Sequence, residues 1–249
     1  MAINHSMKKI LKALSFDGIE VEAARHLASL KAIDPMKIFH KTIDYKIYNG
    51  DYEVPVRIYL PREKVTEDLP VFLFFHGGGW VTDCIDNYER ICARLASATE
   101  HIVVSVEYRL APEHPFPTGF MDCYAVAKAI YTNRFILNVN PQRITLIGDS
   151  AGGNLAAAVS LKARDDGIFK PQRQILIYPA VNNDYSDTSR FQSVKDCGSD
   201  YLLTAGKMCD YIDFYAAREE DKKNKYFAPL METDYRNQPD TLILTAEFD

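Results

Sequence analysis

Ser150 stands inside Gly148-Asp149-Ser150-Ala151-Gly152-Gly153, a G-x-S-x-G arrangement. An apolar run at 144–147 leads into it, and an alanine-rich stretch at 151–162 leads out. That order predicts a strand, a sharp reversal and a helix. Glycines at 148 and 152 let such a turn pass close to neighbouring backbone. A serine at its apex projects above the carboxyl ends of the strands, beside a helix N-terminus that favours negative charge. The chemistry this suits is attack of an oxygen nucleophile on an acyl carbon. A dinucleotide turn would need G-x-G-x-x-G, which the chain does not supply.

A second glycine cluster complements the first. His76-Gly77-Gly78-Gly79-Trp80 follows the apolar run at 71–75. Acyl transfer passes through a tetrahedral intermediate with a negative oxygen, and main-chain N–H groups aimed at it contribute roughly 3 kcal/mol each. Gly77 and Gly78 are the expected donors, with the N–H of Ala151 as the third. His76 precedes the glycines at a strand end, where its ring is expected to support the loop; the catalytic base of such a site comes from later in the chain.

The elements needed to position these residues are legible as alternating runs. Residues 43–48 and 54–60 alternate in polarity and flank Asn49-Gly50-Asp51, the pattern of a hairpin. Continuous apolar runs at 71–75, 102–106, 144–147, 175–178 and 242–244 read as strands buried on both faces of a parallel sheet. Helical stretches at 88–98, 121–131 and 151–162 lie between them. Strand and helix in alternation predict a doubly wound, mostly parallel α/β sheet.

Two regions depart from that alternation. Residues 8–33 have helical spacing with a break at Gly18, so a helical cap segment is expected over 1–42. The core is expected from 43 to 249, interrupted at about 182–226 by a polar insertion with a helical patch near 207–217. The two are expected to roof the cleft together.

Composition narrows the class further. The 249 residues are 47% hydrophobic and 25% charged, enough for a sizeable core. A formal charge of −5 argues against nucleic acid as a partner. No apolar run reaches the ~18 residues of a membrane span. Residues 1–14 lack the apolar core of a secretory signal, so a cytoplasmic protein is expected. Five cysteines without C-x-x-C spacing read as reduced, mostly buried thiols.

Three motifs occur together: His76–Trp80, Tyr108-Arg109-Leu110-Ala111-Pro112-Glu113-His114-Pro115-Phe116-Pro117, and Gly148–Leu155. In order and spacing they resemble the bacterial hormone-sensitive lipase family of esterases, from about residue 40 onward. The resemblance implies the α/β-hydrolase fold and hydrolysis of short- to medium-chain carboxylic esters through an acyl-enzyme. It implies no metal or organic cofactor, a small-molecule ester as partner, and a cap over the site. A homodimer through sheet edges or helices stays open. The segment 108–117 is expected to be a rigid structural loop without a catalytic role.

The triad order of this fold is Ser, then Asp or Glu, then His. Asp249, just after the strand at 241–245, matches the position of the acid, with Glu247 as its nearby rival. The six histidines, His5, His26, His40, His76, His101 and His114, all precede Ser150. A final strand and helix, and the histidine they would carry, are therefore expected outside these residues, for instance on a complementary C-terminal fragment. The readings left beside an esterase are a non-catalytic small-molecule binder on the same scaffold and an amidase or deacetylase on the same triad.

Overall fold

The computed structural model describes residue 7 and residues 20–30, 42–61, 69–199 and 202–247. Its strands are β1 (Thr42–Tyr48), β2 (Glu53–Tyr59), β3 (Val71–Phe75), β4 (Ile102–Val106), β5 (Ile144–Asp149), β6 (Arg173–Ile177) and β7 (Asp240–Leu244). They form one sheet in the order β1-β2-β4-β3-β5-β6-β7. β1 and β2 make the expected hairpin. Asn49 closes it by donating its N–H to Tyr52 O and accepting the Tyr52 N–H on its side chain, both at 3.0 Å. β2 joins β4 antiparallel, and every later pairing is parallel.

The described helices are α1 (Val21–Leu30), α2 (Glu89–Thr99), α3 (Thr118–Tyr131), α4 (Ala151–Asp166), α5 (Gln192–Cys197) and α6 (Ala205–Tyr215). Side chains of β3 alternate between two cores, as the pleat requires. Val71, Leu73 and Phe75 meet Val126 and Ala127 of α3 and Leu155 and Val159 of α4. Phe72 and Phe74 meet Cys92, Ala93 and Ala96 of α2 on the other face. Burial on both sides explains why β3 and β4 are apolar at nearly every position. The doubly wound α/β-hydrolase arrangement expected from the sequence is the one found.

The edge beyond β5 differs from expectation. Residues 175–178 and 242–244 read as strands covered on both faces. β6 instead alternates in burial, and in β7 Leu242, Ile243 and Leu244 remain 52%, 57% and 46% exposed. An apolar run specifies extended backbone, but cover depends on what packs against it.

α1 falls within the helical stretch read at 8–33, while the break at Gly18 lies outside the described residues. All five cysteines are free; Cys92 and Cys123 are buried, and Cys84, Cys197 and Cys209 are half-buried, fewer buried thiols than expected. Among the described residues no helix is long and apolar enough to cross a membrane.

Candidate active site

β5 delivers the chain to Ser150, and α4 carries it away. Ser150 takes φ +53° and ψ −117°. A non-glycine residue there stores roughly 1–3 kcal/mol of strain, so the surroundings must hold it. Its N–H donates to Ile177 O at 2.9 Å, and its carbonyl accepts from the N–H groups of Asn154 (3.0 Å) and Ala180 (3.1 Å). Asn154, fully buried, donates from Nδ2 to Ala180 O and Phe227 O, both at 2.8 Å. The serine turn is thus tied to the chain that follows β6 and to the end of the 182–226 interval.

The glycine at 152 is set by close approach. A Cβ there would collide with Phe75 O and lie 2.6 Å from His76 O, both main-chain atoms. The start of the His76–Trp80 loop therefore rests directly on the first turn of α4. His76 is fully buried and stacks on Tyr108, ring centroids 4.3 Å apart. Burial holds its imidazole down at about 4, so it is neutral near pH 7. Its Nδ1 bonds to Gly77 O at 2.8 Å. Tyr108 Oη donates to His76 O at 2.8 Å, and Ala111 N–H donates to Trp80 O at 2.9 Å. The 108–117 segment thus braces the loop from beneath.

The expected donor set requires a correction at Gly77. Its N–H already donates to Asp149 Oδ1 and Tyr88 Oη, each at 3.1 Å, and is not available to an oxyanion. Among the described residues, the N–H groups of Gly78, Gly79 and Ala151 have no protein acceptor. Gly79 was missed by the motif reading, which counted donors from the first glycine. Burial pushes the Asp149 carboxyl up, while the bonds from Tyr88 and Gly77 pull it the other way.

A cavity of about 350 Å³ opens beside Ser150. Phe191, Val194, Leu203, Met208 and Leu230 give it an apolar wall, most of it from inside the 182–226 interval. Thr245 and Ala246, just past β7, also line it. Tyr211 of α6 lays its ring against Gly79.

A family model described as alpha/beta hydrolase fold matches residues 72–249. The chain belongs to this family. It is 36% identical to an arylesterase of Saccharolobus solfataricus over 235 residues, 94% of this chain and 74% of that protein. It is 40% identical to a carboxylesterase of Mycobacterium tuberculosis over 174 residues, 68% of this chain and 53% of that protein, so it spans about half of that relative. An esterase from Pyrobaculum calidifontis superposes with a TM-score of 0.85 at 33% identity, covering 100% of this chain and 81% of the other. The relatives bear out the esterase-type alpha/beta hydrolase family that the three motifs resemble.

Within this alpha/beta hydrolase the remaining expected groups are less complete. Asp249 lies outside the described residues, as do His5 and His40. Glu247 is described and exposed. His26 and His114 are exposed, and His101 stacks on Phe72 at 4.0 Å, on the face away from α4. Among the described residues no group hydrogen-bonds Ser150 Oγ. Besides Gly79, sequence reasoning missed Tyr88, Asp149 and Asn154. The variable residue just before the serine in G-x-S-x-G was the one signal that could have flagged Asp149.

Proposed function

We propose that the chain hydrolyses carboxylic esters through an acyl-enzyme on Ser150. The observation that carries this reading is a serine held at positive φ beside three uncommitted main-chain donors and an apolar cavity. The names of the relatives support ester hydrolysis in general. Ser150 Oγ attacks the ester carbonyl and loses its proton to a histidine outside the described residues, which Asp249 orients and steadies as it becomes charged. Gly78, Gly79 and Ala151 N–H groups hold the oxyanion, Gly77 being replaced by Gly79 because its own N–H is occupied. The alcohol leaves, and water then releases the acid by the same route.

The cavity sits near the low end of the ~300–1,000 Å³ range of small-molecule sites, which favours short- to medium-chain acyl or aryl groups. The proposed division into a 1–42 cap, a core from 43 and a roof at about 182–226 fits the same picture. The far wall of the cavity belongs to the roof, and Arg25 of α1 docks on the oxyanion loop through Val81 O at 2.9 Å. Ser150→Ala is expected to lower p-nitrophenyl butyrate turnover at least ~10⁴-fold, since members of a triad act as a unit. Full turnover in that variant would overturn the reading.

A further inference from the structure

Gly77, Tyr88 and Asp149 form a closed ring of hydrogen bonds that the reaction does not itself use. The Gly77 N–H is shared between Asp149 Oδ1 and Tyr88 Oη at 3.1 Å each. The Tyr88 hydroxyl in turn donates to Asp149 Oδ2 at 2.7 Å. Three elements meet there: the loop after β3, the residue that opens α2, and the last residue of β5. The fit is close, because a Cβ on Gly77 would lie 2.6 Å from Asp149 Oδ2 and 3.0 Å from Tyr88 Oη. The Tyr88 ring is itself wedged against Phe74 and His76, with centroids 5.6 Å from each. Its hydroxyl therefore has little freedom to leave.

The chain neighbours of these atoms give the ring its significance. Asp149 immediately precedes Ser150, and Gly77 immediately precedes Gly78. One carboxylate thus bridges the peptide before the nucleophile and the peptide before the donors. A three-glycine loop has no side chains with which to fix itself. A charge-assisted acceptor is the stronger kind of tether for it. Oxyanion donors act only if they point to where the charge will form, and a displacement of about 1 Å can cost ~100-fold in rate.

We propose that Asp149, together with Tyr88, is a positioning residue that keeps the donor loop in register with Ser150. It acts on kcat and leaves substrate binding alone, since neither side chain lines the cavity. The catalytic consequence rests on the esterase reading; the mechanical one does not.

Two variants and two measurements test it. Asp149→Asn keeps one acceptor oxygen and loses the other, and Tyr88→Phe removes the bridging hydroxyl while keeping the ring. In Asp149→Asn, kcat should fall ~10–100-fold with KM within ~3-fold, and in Tyr88→Phe by ~3–10-fold. Hydrogen exchange of the peptide spanning residues 76–80 should speed up in both, with the peptide spanning β4 unchanged. Unaltered exchange in both variants overturns the proposal. So does an effect confined to KM, or a loss of rate no larger than the loss of folded protein. If Ser150→Ala keeps its turnover in the same assay, the esterase reading fails, while the exchange comparison still decides whether the tether exists.

Discussion

Around Ser150 the chain is fixed from below largely by main-chain contacts, whereas α6 and α1, in the proposed roof, are attached mainly through side chains, apart from the bond from Phe116 N–H to Tyr215 O at 2.7 Å. In the floor, the Gly152 peptide rests on Phe75 O and His76 O, and Ser150 exchanges three main-chain bonds with residues 154, 177 and 180. In the roof, α6 is fastened by Tyr215, which stacks on Trp80 at 4.6 Å and on Phe227 at 4.9 Å. α1 packs Val21 on the core and buries Ala28, and its polar fastening is the guanidinium of Arg25. The floor has almost no alternative arrangement, because backbone cannot be trimmed or rotated away. The proposed roof has separable fastenings, so it is expected to open in part while the sheet stays folded. An enzyme that must hold a strained nucleophile and still admit substrate needs both conditions.

The largest expected effect comes from adding one methyl group to the floor. Gly152→Ala places a Cβ against two main-chain oxygens with no flexible side chain to give way. Overpacking typically costs about 1–3 kcal/mol and occasionally more; two main-chain oxygens and a strained turn that offer no relief put this change at or above the upper end. Urea unfolding should show the whole cooperative transition moving to lower denaturant, with turnover lost even in the folded fraction. A variant of near-normal stability and rate would show that the floor can relax, which would erase the contrast.

Cutting the main fastening of the roof should have a comparable or smaller energy but a different pattern. Tyr215 is 1% exposed, and Tyr215→Ala removes a ring held between Trp80, Phe116 and Phe227. Truncations of large aromatics cost about 3–5 kcal/mol when the whole core depends on them. Here most of the loss should appear as local opening. Hydrogen exchange should accelerate across α6 while β3 and β5 keep nearly their original protection. Uniform acceleration through the sheet would mean that roof and floor unfold as one unit.

The same contrast explains what was readable in the amino-acid order. Floor residues announce themselves locally. Gly148–Gly153 and His76–Gly79 are short motifs, and β3 and β4 are apolar throughout because both of their faces are covered. Roof and edge residues do not. Nothing near Arg25 signals Glu113, 88 positions away, and nothing near Asn154 signals Phe227 O. The error at Gly77 has the same origin, since its partner Asp149 is 72 residues on. β7 has the composition of a covered strand, yet Leu242, Ile243 and Leu244 are about half exposed. Periodicity reports the conformation a segment prefers, whereas hydrogen-bond partners and cover come from the rest of the fold.

The finest test of the contrast is the fastening of α1. The Arg25 guanidinium donates to Val81 O and Ala111 O at 2.9 Å, and to both oxygens of Glu113 at 2.7 Å. The bond from Arg25 holds the Glu113 carboxyl at about 2, below the usual glutamate range. Because the folded value is depressed, the unfolded or detached state binds more protons in the window between them. The contribution is therefore complete above about pH 4.5 and is lost as pH falls toward 2. The pair is partly exposed, 31% for Arg25 and 56% for Glu113, so solvent screening limits its worth to roughly 0.5–1 kcal/mol. Protease cleavage or hydrogen exchange within residues 20–30 should rise modestly between pH 5 and 3 while β5 stays protected. Arg25→Gln should show the raised level already at pH 6 and lose that pH dependence. If acid exposes β5 and α1 together, the α1 clasp is part of the floor after all, and the division between a rigid base and a separable roof has been drawn in the wrong place.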